Sequence, residues 1–122
     1  MQRVKNNGLN LWQFNLFKNV KEVKHFVTDR AASDGRKEFT LSYSSSPDKE
    51  ELRSNRNLLA SAVGVQNDSL YIPSQVHQSL IVQVSNSTSP EELLETDALI
   101  TNEKGLCIAI LVADCVPVLL FD

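Results

Sequence analysis

The sequence predicts an α+β protein, built as a layered mixed β-sheet with flanking helices. Three observations predict it. Short runs with strand-like alternation or continuous apolar character recur along the chain. One segment, residues 46–64, carries helix-start chemistry at its beginning and helix-stop chemistry at its end. The run 106–113 is apolar throughout, as expected of a central strand covered on both faces. Many strands, one good helix and one doubly covered strand make layers of mixed type.

The elements follow in order. Residues 11–17 alternate, with Trp12, Phe14 and Leu16 on one face and Gln13 and Asn15 on the other, which reads as a strand. Residues 23–28 read as a second strand, with Val23, His25 and Val27 on one side, and His25 as a half-buried strand residue. A polar loop containing Gly35 is expected over 29–37, and a third strand over 38–43. The helix comes next. Ser46 can cap it, Pro47 suits its first turn, and Asp48, Glu50 and Glu51 favour the positive end of the dipole. It runs to about Val63 and stops at Gly64. Leu52, Leu59, Ala62 and Val63 form its inner face, with Asn55 and Arg56 on the same stripe. Polar groups there must find partners, either by snorkelling or by tying down a neighbouring loop.

Beyond Gly64 the pattern turns to strands. Residues 70–72 are short and end at Pro73, and residues 79–84 alternate, with Leu80, Val82 and Val84 opposite Ile81 and Gln83. Residues 89–94 read as one or two helical turns, 99–101 as a brief strand, and 106–113 and 116–121 as apolar strands, with a turn favoured at Gly105.

Composition excludes several classes. A length of 122 residues fits one domain, 1–122, with an ordinary 42% hydrophobic and 22% charged content. A net charge of −3 leaves no basic excess for phosphates, so no nucleic-acid partner is expected. Two cysteines make no disulfide framework, and no apolar run approaches the roughly 18 residues of a membrane span. No signal peptide is visible at the amino terminus. The expectation is a reduced, cytoplasmic protein without membrane contact.

Two residues stand out as chemistry. Ala113-Asp114-Cys115 sets a carboxylate and a thiol inside an apolar run, where polar groups cost free energy unless they are used or satisfied. His77 sits where a strand gives way to a loop after a proline, and the chain has only two histidines. A neutral imidazole ligates zinc or acts as a general base. Only the fold can bring His77 and Cys115 together. Taken alone, each also reads as structural, and Cys107, inside an apolar strand, reads as inert core.

The motifs Gln75-Val76-His77, Thr96-Asp97-Ala98-Leu99-Ile100-Thr101 and Ala113-Asp114-Cys115-Val116-Pro117-Val118-Leu119-Leu120-Phe121-Asp122 together resemble three successive motifs of one bacterial family. It was once described as multicopper polyphenol oxidases or laccase-domain proteins and is now regarded as zinc-dependent purine nucleoside phosphorylases. His25-Phe26-Val27-Thr28-Asp29-Arg30 and Asn55-Arg56-Asn57-Leu58 resemble its earlier pieces, so the resemblance spans about residues 23–122. Gln78, Thr96 and Ala31-Ala32 depart from its usual glycine, alanine and glycines.

The resemblance implies a metal site of the histidine in Gln-Val-His, the cysteine in Ala-Asp-Cys, and a second histidine in a later His-Ala-Gly-Trp-Arg-Gly motif. The first two map onto His77 and Cys115. The third motif does not occur here, so the chain is expected to be the amino-terminal half of a family domain. Zn2+ is the implied cofactor (copper in the older description), and a purine nucleoside and phosphate are the implied substrates. Arg30 and Arg56 are the cations that would fork onto phosphate, and Asp114 would orient a metal ligand. The alternatives are a cysteine hydrolase with Cys115 as nucleophile and His77 as base, or a non-catalytic, truncated module. Apolar strands lacking their cover also lead to the expectation of a homo-oligomer.

Overall fold

Asn7 and Gly8 make the first turn of the chain. In the computed structural model, which describes residues 1–31 and 38–122, they sit at φ 43° and 84°. Two positive φ angles in succession give the hairpin loop whose twist matches that of its strands. The turn joins β1 (Gln2–Asn6) to β2 (Leu9–Gln13), with Asn6 opposite Leu9 and Gln2 opposite Gln13. β3 (Val27–Thr28) pairs antiparallel with the other edge of β2.

This sheet corrects the expectations for residues 11–28. The strand expected over 11–17 begins at Leu9 and stops at Gln13, and Asn15–Phe17 is a single 3-10 turn. The buried apolar side chains are Leu9 and Leu11, of opposite parity to Trp12, Phe14 and Leu16; Leu16 is 91% exposed. An alternating run has two possible inner faces, and the helix packed on β2 selects one. His25 lies before β3, not within it, and is buried. Its ring stacks near Phe14 and Phe17, and its Nε2 takes the N–H of Phe14 at 2.8 Å.

The helix α1 (Lys49–Val63) ends at Gly64, as the sequence predicts. Its cap is Asp48 in place of Ser46. Asp48 Oδ1 accepts the N–H groups of Glu50 and Glu51 at 2.9 and 3.1 Å, which also sets a carboxylate at the positive end of the dipole. Ser46 Oγ is one step upstream and takes the N–H of Asp48. At the far end Gly64 adopts φ 82°, and its N–H closes onto the Ala60 carbonyl at 2.9 Å. Leu52, Asn55 and Leu59 are fully buried, with Ala60 and Ala62 beside them.

The third strand expected over 38–43 does not form. Phe39 and Leu41 are buried, but the helix satisfies the backbone there. Asn55 Nδ2 donates to the Thr40 carbonyl at 2.9 Å, and Arg56 Nε and Nη2 donate to the Leu41 carbonyl at 3.2 and 2.8 Å. Buried carbonyls need donors, and two helix side chains supply here what a strand neighbour would. The polar stripe on the helix therefore ties down a neighbouring segment. Most of the polar loop expected over 29–37, Gly35 and Ala32 included, lies outside the described residues.

Met1–Gly64 with Phe121–Asp122 form one compact unit, and Val65–Leu120 form another. In the second, β4 (Leu70–Tyr71) pairs parallel with β7 (Cys107–Ile108), and β5 (Ile81–Gln83) pairs parallel with β6 (Ala98–Ile100). Parallel partners need a long crossover. Residues 84–97 make the one between β5 and β6, with a 3-10 turn at Pro90–Leu93 started by the Ser89 N–H on Glu92 Oε2, 2.7 Å. Tyr71, Val84 and Leu93 form the core, with Val82, Leu99, Leu106 and Ile108 packed on it. The result is a mixed α and β protein, with one long helix and small parallel and antiparallel sheets among the described residues.

Two expectations fail in this unit. Of the run 106–113 only Cys107–Ile108 is strand, and none of that run is fully buried. Residues 116–121 form no strand, and Val116 and Leu120 are 84% and 91% exposed. Continuous apolar character makes a central strand only when neighbours cover both faces, and among the described residues β7 pairs with β4 alone. Among the described residues, no helix is long and apolar enough to cross a membrane.

Candidate functional site

Beyond β4 the chain is strapped down at Ser74. The Ser74 N–H donates to the Leu93 carbonyl at 2.9 Å, and the Thr96 N–H donates to the Ser74 carbonyl at 3.2 Å. Thr96 is fully buried, with its hydroxyl on the Leu94 carbonyl. The next residue, Asp97, immediately precedes β6, and its N–H is held by the Leu80 carbonyl at 3.0 Å. Its carboxylate gathers three successive N–H groups. Oδ1 accepts from Val76 at 3.0 Å and His77 at 2.7 Å, and Oδ2 accepts from Gln78 at 2.8 Å. These donors, Gln78 first, hold the Asp97 carboxyl below the usual carboxylate range, since each favours the charged form. The turn so made puts His77 at φ 60°, in the left-handed region that few residues other than glycine adopt.

A second tie reaches the cysteine segment. The Ala109 N–H extends the β4–β7 pairing onto the Tyr71 carbonyl at 3.0 Å, and the Leu111 N–H donates to Gln75 Oε1 at 2.7 Å. Residues 112–116 are exposed, Asp114 and Cys115 among them. Gln75, His77 and Asp97 on one side, and residues 110–116 on the other, line a cleft of about 290 Å3.

The fold thus brings His77, Asp114 and Cys115 to one cleft. Arg30 and Arg56 belong to the first unit, where each guanidinium has a partner. Arg30 Nη2 pairs with Glu38 Oε1 at 2.8 Å in an exposed ion pair, and Arg56 holds Leu41 and lies 4.6 Å over the Tyr43 ring. Sequence reasoning assigns no role to Gln75 or Asp97. Their only signal is position, since both stand inside the motifs that carry the family resemblance.

The donor types at the cleft suit zinc, which takes imidazole nitrogen and thiolate sulfur. Both Asp97 oxygens are engaged by backbone N–H groups. Among the described residues no group of three His, Cys, Asp or Glu side chains is placed to hold one ion. Two residues that line the cleft, His77 and Cys115, are of types that zinc accepts as ligands. Cys107 is a different case: burial pushes its thiol from the ordinary 9.0 up to about 11, so it is neutral and unreactive near pH 7.

Comparison with known proteins finds one family along most of the chain. The profile of a family described as multi-copper polyphenol oxidoreductase laccase matches residues 24–122. A purine nucleoside phosphorylase of Corynebacterium glutamicum is 39% identical over 85 residues, covering 69% of this chain and 35% of the relative. One from Bacteroides thetaiotaomicron is 36% identical over 110 residues, covering 82% and 41%. An adenosine deaminase from an unknown prokaryotic organism is 31% identical over 124 residues, covering 93% and 47%. The chain spans about a third to a half of the length of these relatives. No solved structure matches it.

Proposed function

We propose a function from one premise: the chain belongs to the multi-copper polyphenol oxidoreductase laccase family. It carries the amino-terminal part of a site that processes purine nucleosides, by phosphorolysis or deamination, as its relatives' names indicate. The observation behind this reading is the shared cleft. His77 and Cys115 are far apart in sequence and line one opening. His77 as neutral imidazole and Cys115 as thiolate would hold zinc there. Bound zinc would polarise a substrate oxygen or activate water. Asp114, adjacent to Cys115, would orient that ligand. Two free cysteines suit a reducing compartment, and we place the protein in the cytoplasm.

Two measurements test this: zinc content and turnover of adenosine and inosine. They are made on the chain alone, and on the chain joined to the carboxy-terminal part of the Corynebacterium relative. The chain alone is expected to bind zinc weakly and turn over little nucleoside, since affinity follows ligand count and a preformed geometry. The joined protein is expected to gain both. Failure of a folded joined protein to take up zinc would refute the reading. A second reading rests on the two-donor cleft: Cys115 as nucleophile with His77 as base needs no metal. Turnover that survives a chelator would select it.

The exposed apolar residues Val116, Val118, Leu120 and Phe121 bear on assembly. Apolar surface of this kind pairs with what is available. Self-association at micromolar concentration is the expected result, and a monodisperse monomer in light scattering would refute it.

A further inference from the structure

Asp97 and Gln75 both act on the segment that carries His77, and neither has a role in the proposed chemistry. Asp97 closes its carboxylate over the N–H groups of Val76, His77 and Gln78, at 2.7 to 3.0 Å. His77 stands at φ 60° within that turn. A non-glycine residue stays in the left-handed region only when its surroundings hold it there. Three hydrogen bonds to an ionised carboxylate are a sufficient hold, because charge-assisted bonds are about twice as strong as neutral ones. Asp97 is itself fixed from the other side, through its N–H on Leu80 and through β6. Gln75 makes the complementary tie. It joins the His77 segment to the Leu111 backbone, four residues ahead of Cys115, at 2.7 Å.

We infer that Asp97 and Gln75 are positioning residues: Asp97 holds the His77 turn in shape, and Gln75 sets its spacing from the Cys115 segment. The inference rests on the reading of the cleft as a two-donor part of a zinc site. Groups that orient a ligand this way act on affinity without touching the ion.

The test uses the full chain as wild type and as Asp97→Ala, Asp97→Asn, Gln75→Leu and Gln75→Glu. Three readouts separate the claims. Hydrogen exchange of the Val76, His77 and Gln78 amides is expected to rise about tenfold or more in Asp97→Ala, while the amides of α1 hold their protection, because the opening is local. Backbone carbon shifts of His77 are expected to leave the left-handed range in the same variant. Asp97→Asn, which keeps one acceptor and presents an amide nitrogen at the other position, should fall between. Zinc affinity, measured by competition with a chromophoric chelator, is expected to drop about tenfold or more in Asp97→Ala and Gln75→Leu. Gln75→Glu keeps an acceptor for the Leu111 N–H and should restore it.

Unmoved exchange and shifts in both Asp97 variants would overturn the hold on His77. Moved exchange with unchanged zinc affinity would reduce Asp97 to a purely structural role and overturn its positioning role. A wild-type chain that takes up no zinc at millimolar concentration would refute the zinc reading and the positioning toward it. The exchange readout would still decide whether Asp97 holds the turn.

Discussion

Leu52→Ala and Leu59→Ala are each expected to lower the stability of the first unit by about 2–5 kcal/mol, the range for truncating a fully buried leucine. Both side chains have no exposed surface. They lie on the same helix as Asn55 and Arg56, which hold the Thr40 and Leu41 carbonyls, so a shifted helix would also loosen the 38–43 segment. A loss of that size is a large fraction of the roughly 5–15 kcal/mol that keeps a domain folded. Urea unfolding followed by the helical circular-dichroism signal measures it. Val116→Ala is the control, since that side chain is 84% exposed and should change stability by less than about 0.5 kcal/mol. A loss below about 1 kcal/mol at both leucines would show that this face of the helix is not packed.

Cys115→Ala is expected to abolish zinc uptake and nucleoside turnover in the protein that carries the completing segment. Cys107→Ala is expected to leave both intact and cost about 1 kcal/mol of stability through lost packing. Thiol chemistry separates the two residues without any assay of turnover. Cys115 is exposed and Cys107 is half-buried. The folded Cys107 pKa lies above its ordinary value, so its contribution to stability is complete below about pH 9 and is lost as pH rises through about 11. Iodoacetamide at pH 8 should therefore label one thiol per native chain. Cys115→Ala should remove that label, and Cys107→Ala should not. Zinc should slow the labelling if Cys115 is a ligand. Equal labelling of both cysteines in the native protein would contradict the burial of Cys107.

What the sequence determined by itself is what neighbouring residues decide between them. The helix end at Gly64 is local chemistry, because a glycine at positive φ closes the last turn from within. Its start was legible only to within two residues. Ser46, Pro47 and Asp48 each carry cap or first-turn chemistry, and it is the Asp48 carboxylate, accepting the N–H groups of Glu50 and Glu51, that assigns the cap to Asp48. Asn7-Gly8 is a local turn signal of the same kind, yet no hairpin is among the expectations there, and the first expected strand begins at Leu11. Family membership was legible because the motifs around His77, Asp97 and Cys115 are short strings that survive as strings.

Tertiary structure alone decided the rest, because each remaining question concerns a partner distant in the chain. The inner face of β2 depended on where α1 packs. Residues 38–43 are apolar enough for a strand, yet their carbonyls go to Asn55 and Arg56, so no ladder forms. The run 106–113 would be a central strand only with neighbours on both sides, and β4 is the one it pairs with among the described residues. The candidate site divides the same way. Its histidine and cysteine are visible as residue types. That they share a cleft, and that Asp97 and Gln75 hold one side of it, depends on hydrogen bonds between segments that only the fold brings within 3 Å.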